Sequence, residues 1–331
     1  PSLNQIDKYI KNGGFWSEKI PEEAQYYKPW NKAYQKWAVE KGFYDKEWDY
    51  PKTKLRYAYF GDSVVYGVGA GYPNRITEYL DILETEVEHV NISGGLGASF
   101  LTLGIEAKAI ANTIRANEID RLVYVMNLND IAPLSYQQNE TEDNSDEILP
   151  TGSKILRNKF IESIDANLRG KSYLYGVFRS RAKHFLVSQL GLNSSGFKAI
   201  ELQPNKYEVD IRKSAKNLSA AINDINSFEI DICILILPYE MQISNNARDE
   251  YKKMGIIFED SFSKFKTQKI FINEFQKHSK INIYALGNKF NEAEIGKYFV
   301  FNKGDKIDFN HPNHLGHKEI AREISENKLC I

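Results

Sequence analysis

The chain has 331 residues, of which 42% are hydrophobic and 26% are charged, a balance typical of a folded protein with one large domain or two small ones. Its net charge of -1 gives no overall positive field that would attract nucleic acid or an anionic membrane. No stretch of the sequence reaches the ~20 apolar residues of a membrane span. The chain begins at Pro1 rather than Met, which indicates a truncated or processed form. Whether a signal peptide or membrane anchor precedes Pro1 is therefore an open question.

Residues 1–50 form an aromatic and charged extension that contains all four tryptophans of the protein. We predict short helices there, such as Glu22–Lys41, that wrap the main domain with the aromatic side chains as anchors. A binding platform for polysaccharide is the functional alternative for these aromatic residues.

From residue 51 onward, apolar runs alternate with segments of helical spacing. The predicted strands are Leu55–Phe60, Val87–Ile92, Leu122–Met126, Ile230–Leu237 and Ile281–Leu286. The predicted helices are Asn74–Glu86, Leu101–Asn117, Ile211–Asn226, Asn246–His278 with a break near Gly255, and Asn313–Asn327, with Asn313 as the N-cap. This alternation predicts a three-layer α/β/α sandwich around a central, mostly parallel five-stranded sheet.

The connection between the third and fourth strands is too long for a simple crossover. About a hundred residues, 131–229, separate these strands, whereas a crossover usually needs far fewer. We therefore predict one domain over residues 51–331 with an insertion at about 132–208. Its segment Ile155–Leu190 reads as a basic helix, which suits either a membrane surface or a simple solvated face.

The two cysteines leave the cellular compartment undecided. Cys233 lies in the fourth predicted strand, where we expect a buried thiol, and Cys330 lies beside the C-terminus. The pattern disfavours a disulfide between them. Since an upstream leader stays open, an extracytoplasmic location is slightly favoured over a cytoplasmic one.

A Gly-Asp-Ser turn directly follows the first predicted strand. Ser63 would lie at the carboxyl end of a buried strand, where open α/β sheets bind their ligands. Gly61 lets the chain turn tightly there, which exposes the serine Oγ and directs backbone N–H groups toward a developing oxyanion. A simple capping turn at Asp62 and Ser63 is the alternative interpretation.

Near the other end of the chain, Asp308 precedes His311 by three residues. One loop can therefore place the carboxylate against the imidazole and fix its tautomer. In this interpretation Ser63 attacks, His311 accepts the proton and Asp308 orients the imidazole.

His311, His314 and His317 also have a spacing that could indicate a metal site. Pro312 argues against all three lying on one helical face, and no separate Glu or Cys completes a ligand set. We therefore predict a nucleophilic site that uses no metal and no organic cofactor.

Two inner motifs complete a pattern that resembles the SGNH (GDSL-type) hydrolase and acyltransferase superfamily. They are Val90-Asn91-Ile92-Ser93-Gly94-Gly95-Leu96-Gly97 and Asn127-Leu128-Asn129-Asp130. The resemblance covers residues of about 55–135 and 228–326, and it implies a flavodoxin-like fold and a Ser-His-Asp triad.

The same resemblance implies an oxyanion hole. Its donors would be the N–H of Ser63, the N–H of Gly95 in preference to Gly97, and the side chain of Asn129. The usual Gly of the second inner motif is Asn127 here, a residue type that tolerates positive φ better than most.

Four further residues are candidates for substrate contacts. Tyr239 and Gln242 follow the fourth strand at the same sheet edge, although packing against the insertion is an equal alternative. Asp62 and Gly97 lie within the motifs themselves.

The resemblance implies a serine-dependent esterase that cleaves an acyl ester, with an O-acetyl or short-chain group. The first alternative is an O-acyltransferase for a polysaccharide or a lipid-linked sugar, and the second is a non-catalytic carbohydrate-binding protein on the same fold. The expected partner is an ester substrate, either an acylated glycan or a lipid, and no nucleic acid. Membrane association would come from a missing upstream segment or from the basic insertion helix.

Overall fold

The structure, a computed structural model, describes residues 45–93, 110–131, 200–253, 256–288, 290, 294–300 and 310–331. Most of the predicted extension and of the predicted insertion lies outside these residues, including the basic helix. Gly95, Gly97 and Asp308 also lie outside them. The predictions for these segments and residues, and for the domain boundaries, therefore stay predictions.

A sheet of five parallel strands forms the centre of the fold, as predicted. The strands are β1 (Leu55–Gly61), β2 (Val87–Asn91), β3 (Arg121–Met126), β4 (Asp231–Ile236) and β5 (Asn282–Ala285). Their order is β2-β1-β3-β4-β5, and each neighbouring pair is parallel. The strand order reverses between β1 and β3, and in such sheets the crevice at the carboxyl ends of these two strands is the usual ligand site.

Helices connect the strands and cover both faces of the sheet. The described helices are α1 (Ser63–Tyr66), α2 (Ile76–Leu83), α3 (Glu208–Asn226), α4 (Glu240–Ile243), α5 (Asn245–Lys253), α6 (Lys266–Phe275) and α7 (His314–Glu326), and residues 110–116 are also helical. The predicted break in the helix over 246–278 is confirmed, because residues 256–259 are not helical. The helices α1 and α4 were not predicted, because four residues are too few to show a helical period. Within the described ranges, no helix is long and apolar enough to cross a bilayer.

Alternating strand residues build two separate cores, one on each face of the sheet. On one face, Phe60 and Tyr124 pack beneath α3 and α6. On the other face, Tyr59 and Val125 pack beneath α2 and α7. Burial on both faces explains why the strands read as nearly continuous apolar runs, and it gives the predicted α/β/α layering.

Residues 45–50, the end of the predicted extension, dock onto this domain through buried polar contacts. The Trp48 indole Nε1 donates to the Asp45 carboxylate at 2.7 Å, and Trp48 is 2% exposed. The same carboxylate accepts from the Arg75 guanidinium at 2.8 Å and from the Asn91 backbone N–H at 2.8 Å. For this short stretch, an aromatic side chain therefore acts as an anchor, as predicted for the extension.

The expectation of an unpaired thiol at Cys233 is wrong. Cys233 and Cys330 form a disulfide, with their Cα atoms 5.6 Å apart. The alternation of β4 points Cys233 toward the face that α7 covers, and the segment after α7 brings Cys330 to the same face. A separation of 97 residues gives no local signal of this pairing.

We expect Cys330→Ser to lower the free energy of unfolding by about 2–5 kcal/mol, because a disulfide that closes a long loop restricts the unfolded chain. The measurement is urea unfolding with and without a thiol reductant. The reductant should bring the wild type close to the variant and should leave the variant itself unchanged. A wild type that ignores the reductant and matches the variant would contradict the prediction.

Candidate active site

The turn after β1 holds Ser63 at the first position of a short helix. A Cβ added to Gly61 would lie 2.4 Å from the Val125 carbonyl oxygen, so only glycine lets β1 end this close to β3. The Asp62 side chain caps α1 by accepting from the Val64 N–H at 2.9 Å. The Ser63 N–H therefore lies in the first turn of a helix, where N–H groups have no partner within the helix.

The first predicted inner motif contacts this helix from the neighbouring strand. Asn91, the last residue of β2, donates from Nδ2 to the Val65 carbonyl oxygen at 2.6 Å and is 1% exposed. Its Oδ1 accepts from the Ser93 N–H at 3.0 Å. The asparagine thus joins α1 to the start of the glycine-rich segment that was predicted to supply an oxyanion donor.

Ser63 and His311 meet, although 248 residues separate them in the chain. The distance from Ser63 Oγ to His311 Nε2 is 2.7 Å, which is a hydrogen-bond distance. With the imidazole proton on Nδ1, Nε2 accepts the serine proton, which is the arrangement that a general base requires. Asp308, the predicted orienting carboxylate, stays a prediction.

The backbone around His311 is held from two directions. The His311 carbonyl oxygen accepts from the Val300 N–H at 2.9 Å, and Pro312 forms an antiparallel bridge with Phe299. A Cβ added to Gly69 would lie 2.1 Å from the Pro312 carbonyl oxygen, so the loop after α1 contacts the histidine loop backbone directly. These contacts fix the histidine loop relative to the helix that carries Ser63.

Asn129 lies beside the nucleophile turn. It belongs to a 3-10 turn, Leu128–Ile131, which directly follows β3 at the carboxyl edge of the sheet. Its side chain donates a hydrogen bond to Asp62, the residue before Ser63. Its Oδ1 is buried without a hydrogen-bond partner. A primary amide carries two N–H donors, and the bond to Asp62 uses one of them.

Two carboxyl groups near Ser63 are buried, namely Asp62, which precedes it, and Asp130, whose charge interacts with that of Asp62. Burial raises the pKa of Asp62, against the opposing effects of the Val64 N–H and of a positive charge on His311. Burial, reinforced by the negative charge of Asp62, holds the pKa of Asp130 well above its usual range. An imidazolium formed at His311 would therefore lie within the field of the Asp62 carboxylate, which would stabilise it.

Tyr239 and Gln242 are inside the protein, which favours packing over substrate contact. Tyr239 is 1% exposed and Gln242 is 4% exposed. Gln242 Nε2 donates to the Phe262 carbonyl oxygen at 3.1 Å, and the Tyr239 side chain hydrogen-bonds to Glu201. Burial raises the pKa of this Glu201 carboxyl to about 7. The sequence analysis missed Glu201 because a single acidic residue between apolar neighbours gives no signal of its partner.

His311, His314 and His317 are not grouped as the ligands of one metal ion. Among the residues that the structure describes, no three His, Cys, Asp or Glu side chains are grouped to hold a metal ion. His311 contacts Ser63, whereas His317 is fully buried on α7 and neither ring nitrogen has a hydrogen-bond partner. Burial lowers the pKa of His317 to about 3.

We expect His317→Leu to make the protein less sensitive to acid. The folded-state pKa of about 3 lies below the usual value of 6.5, so between these pH values the unfolded chain binds a proton that the folded protein does not. The contribution of neutral His317 to stability is therefore present above pH 6.5 and is lost as the pH falls. As the pH falls below 6.5, the free energy of unfolding of the variant minus that of the wild type should increase by up to about 1.4 kcal/mol for each pH unit. Urea unfolding at pH 5 and pH 8 measures this, and equal differences at both values would contradict it.

Comparison with known proteins finds similarity in structure but not in sequence. No protein-family profile matches the chain, and no curated protein matches it by sequence. Similar solved structures include Est24, a carbohydrate acetylesterase from Sinorhizobium meliloti, at 11% identity and a TM-score of 0.39, over 83% of this chain and 98% of that one. A protein from Desulfitobacterium hafniense DCB-2 assigned to the lipolytic G-D-S-L family has 11% identity and a TM-score of 0.35, over 82% and 99%. The chain is similar to SGNH (GDSL-type) hydrolases.

An acyltransferase is also among the similar solved structures. The salicylyl-acyltransferase SsfX3 from a tetracycline biosynthetic pathway has 15% identity and a TM-score of 0.37, over 84% of this chain and 54% of that one. All three structures have low TM-scores and low sequence identity to this chain. The roles of individual SGNH-type residues in this chain therefore rest on its own geometry.

Proposed function

We propose that this protein is a serine-dependent carboxylic-ester hydrolase of the SGNH type. The observation that carries the proposal is the 2.7 Å contact between Ser63 Oγ and His311 Nε2. Its setting supports the proposal, since the pair lies at the point where the strand order reverses and where open α/β sheets bind ligands. The capped helix start at Ser63 supplies backbone N–H groups of the kind that stabilise an oxyanion.

In the proposed reaction, Ser63 Oγ attacks the ester carbonyl carbon while His311 Nε2 takes the serine proton. The tetrahedral oxyanion is stabilised by the Ser63 N–H, by the Asn129 amide and by the N–H of Gly95. His311 then donates its proton to the leaving alcohol, and the acyl group stays on Ser63. A water molecule, deprotonated by His311, releases the acid and restores Ser63. Asp308 is the proposed orienting group for the imidazole.

We propose an O-acetyl or other short acyl ester, on a glycan, as the substrate class. The same residues would serve an O-acyltransferase, in which a sugar hydroxyl replaces water at the second step. The two activities differ in product, because hydrolysis gives only free acid and transfer gives a new ester on the acceptor. A non-catalytic carbohydrate-binding protein on the same fold is the second alternative, and a Ser63 that is inert toward activated esters and serine-directed probes would favour it.

The test combines covalent labelling with turnover. A fluorophosphonate probe should label the native protein at Ser63, identified by peptide mass spectrometry. p-Nitrophenyl acetate and butyrate should be hydrolysed faster than the octanoate, and an acetylated xylan should release acetate. Failure of both labelling and hydrolysis would overturn the proposal. A new ester on an added non-acetylated glycan, with little free acid, would replace hydrolase by transferase.

A further inference from the structure

Asn127 occupies the motif position at which the resembled superfamily usually has glycine. The described non-glycine residues with positive φ do not include Asn127, so a glycine-like backbone conformation is not what this position requires. Asn127 is 1% exposed, and its amide is therefore kept from water. A buried amide is costly unless its donors and acceptors are paired, so the stability of this conformation depends on its hydrogen-bond partners.

The Asn127 amide bridges two segments that are far apart in sequence. Its Oδ1 accepts from the Leu128 N–H at 2.7 Å. Its Nδ2 donates to the Asn310 carbonyl oxygen at 3.2 Å, across 183 residues of sequence. The Leu128 N–H can only donate and the Asn310 carbonyl can only accept, so one orientation of the amide satisfies both contacts.

The backbone of Asn127 is equally fixed. Its N–H donates to the Asp130 carboxylate at 3.1 Å, and its carbonyl oxygen accepts from the Asp130 N–H at 3.0 Å. These bonds close the turn that contains Asn129. The Asn127 side chain thus projects from a rigid turn toward the histidine loop.

We propose that Asn127 is a positioning residue that couples the Asn129 turn to the His311 loop. The proposal rests on the proposed hydrolase function of Ser63 and His311. The Asn310 carbonyl belongs to the peptide group that immediately precedes His311, so Asn127 holds the upstream side of the histidine. The Val300 N–H holds the downstream side, at the His311 carbonyl. The Asn127 amide therefore holds the proposed general base, His311, and the proposed oxyanion donor, Asn129, in a fixed relative position.

Asn127→Gly and Asn127→Ala remove the coupling contact. A displacement of about 1 Å in a catalytic group can cost about 10²-fold in rate. We therefore expect kcat to fall about tenfold to a hundredfold in both variants. KM for p-nitrophenyl acetate should stay within about twofold, because an effect confined to catalytic geometry appears in kcat.

Asn223→Ala is the matched control. It removes a bond of the same kind, from Asn223 Nδ2 to the His278 carbonyl oxygen at 3.1 Å, near the end of α3 that leads into β4 and so at the sheet edge opposite to Ser63. Its kcat should equal that of the wild type. The proposal is overturned if both Asn127 variants keep wild-type kcat, or if only Asn127→Gly loses activity, since that result would assign the effect to backbone freedom.

A second readout needs no turnover. The backbone amide ¹⁵N shift of a residue responds to hydrogen bonding at the preceding carbonyl, so the His311 amide reports on the Asn127 contact. In ¹⁵N-histidine-labelled protein the His311 signal is one of six, and His311→Ala identifies it. It should move in Asn127→Ala and stay in Asn223→Ala. An unmoved signal overturns the Asn127 proposal whatever the ester assay gives, whereas an inert wild type overturns the hydrolase function.

Discussion

Replacing Ser63 by Ala should lower kcat/KM for p-nitrophenyl acetate by about 10⁴-fold or more. The hydroxyl is the attacking atom in the proposed reaction, and nothing in alanine can form the acyl-enzyme. Because Ser63 Oγ reaches His311 Nε2 at 2.7 Å, the change removes the nucleophile and the proton that the base would take. Any residual rate should come from the oxyanion donors alone.

The variant itself should fold normally. Ser63 is half-buried in the turn after β1, and alanine fits its helical conformation, so the melting temperature should change little. Ser219→Ala is a suitable control, since it removes a buried hydroxyl that bonds to the Lys216 carbonyl oxygen at 2.7 Å on α3. Ester hydrolysis that survives in Ser63→Ala at the wild-type rate would contradict the nucleophile assignment.

The Ser63–His311 contact was predictable because two local signals point to the same sheet edge. Ser63 lies in the turn directly after an apolar strand, and parallel strands present their carboxyl ends together. His311 lies just before the last helix, where Asn313 was expected as N-cap and does accept from the Leu315 and Gly316 N–H groups. The apolar strand and the capping residue of the last helix are therefore the local signals that predict this contact.

The pairings that sequence analysis missed are contacts between segments with no shared local pattern. The disulfide depends on which face of β4 Cys233 occupies, and the hydrogen bond from Tyr239 to Glu201 depends on how the end of the insertion folds back. The bond from Asn127 to the Asn310 carbonyl is similar, because an asparagine at a glycine position appears in sequence only as a departure from the motif. Residue type alone does not identify the partner of a buried polar group.

Asn129→Ala should lower kcat by about 10²–10³-fold, the usual cost of losing one oxyanion donor. The Asn129 amide is anchored on Asp62, which also caps the helix that begins at Ser63. The donor is therefore fixed relative to the nucleophile before the substrate binds, and preorganised donors are the ones that stabilise a transition state most. Because the oxyanion carries its full charge only after attack, KM should change little.

Asn129→Asp tests the same donor with almost unchanged shape. The carboxylate loses both N–H groups and lies beside Asp62 and Asp130, whose pKa values burial already raises. Its kcat should therefore fall about as far as that of Asn129→Ala, because neither variant keeps the amide donors, while Asn223→Ala should match the wild type. If Asn129→Ala raises KM and spares kcat, the amide binds the ground-state ester instead. If neither constant changes, backbone N–H groups alone must stabilise the oxyanion.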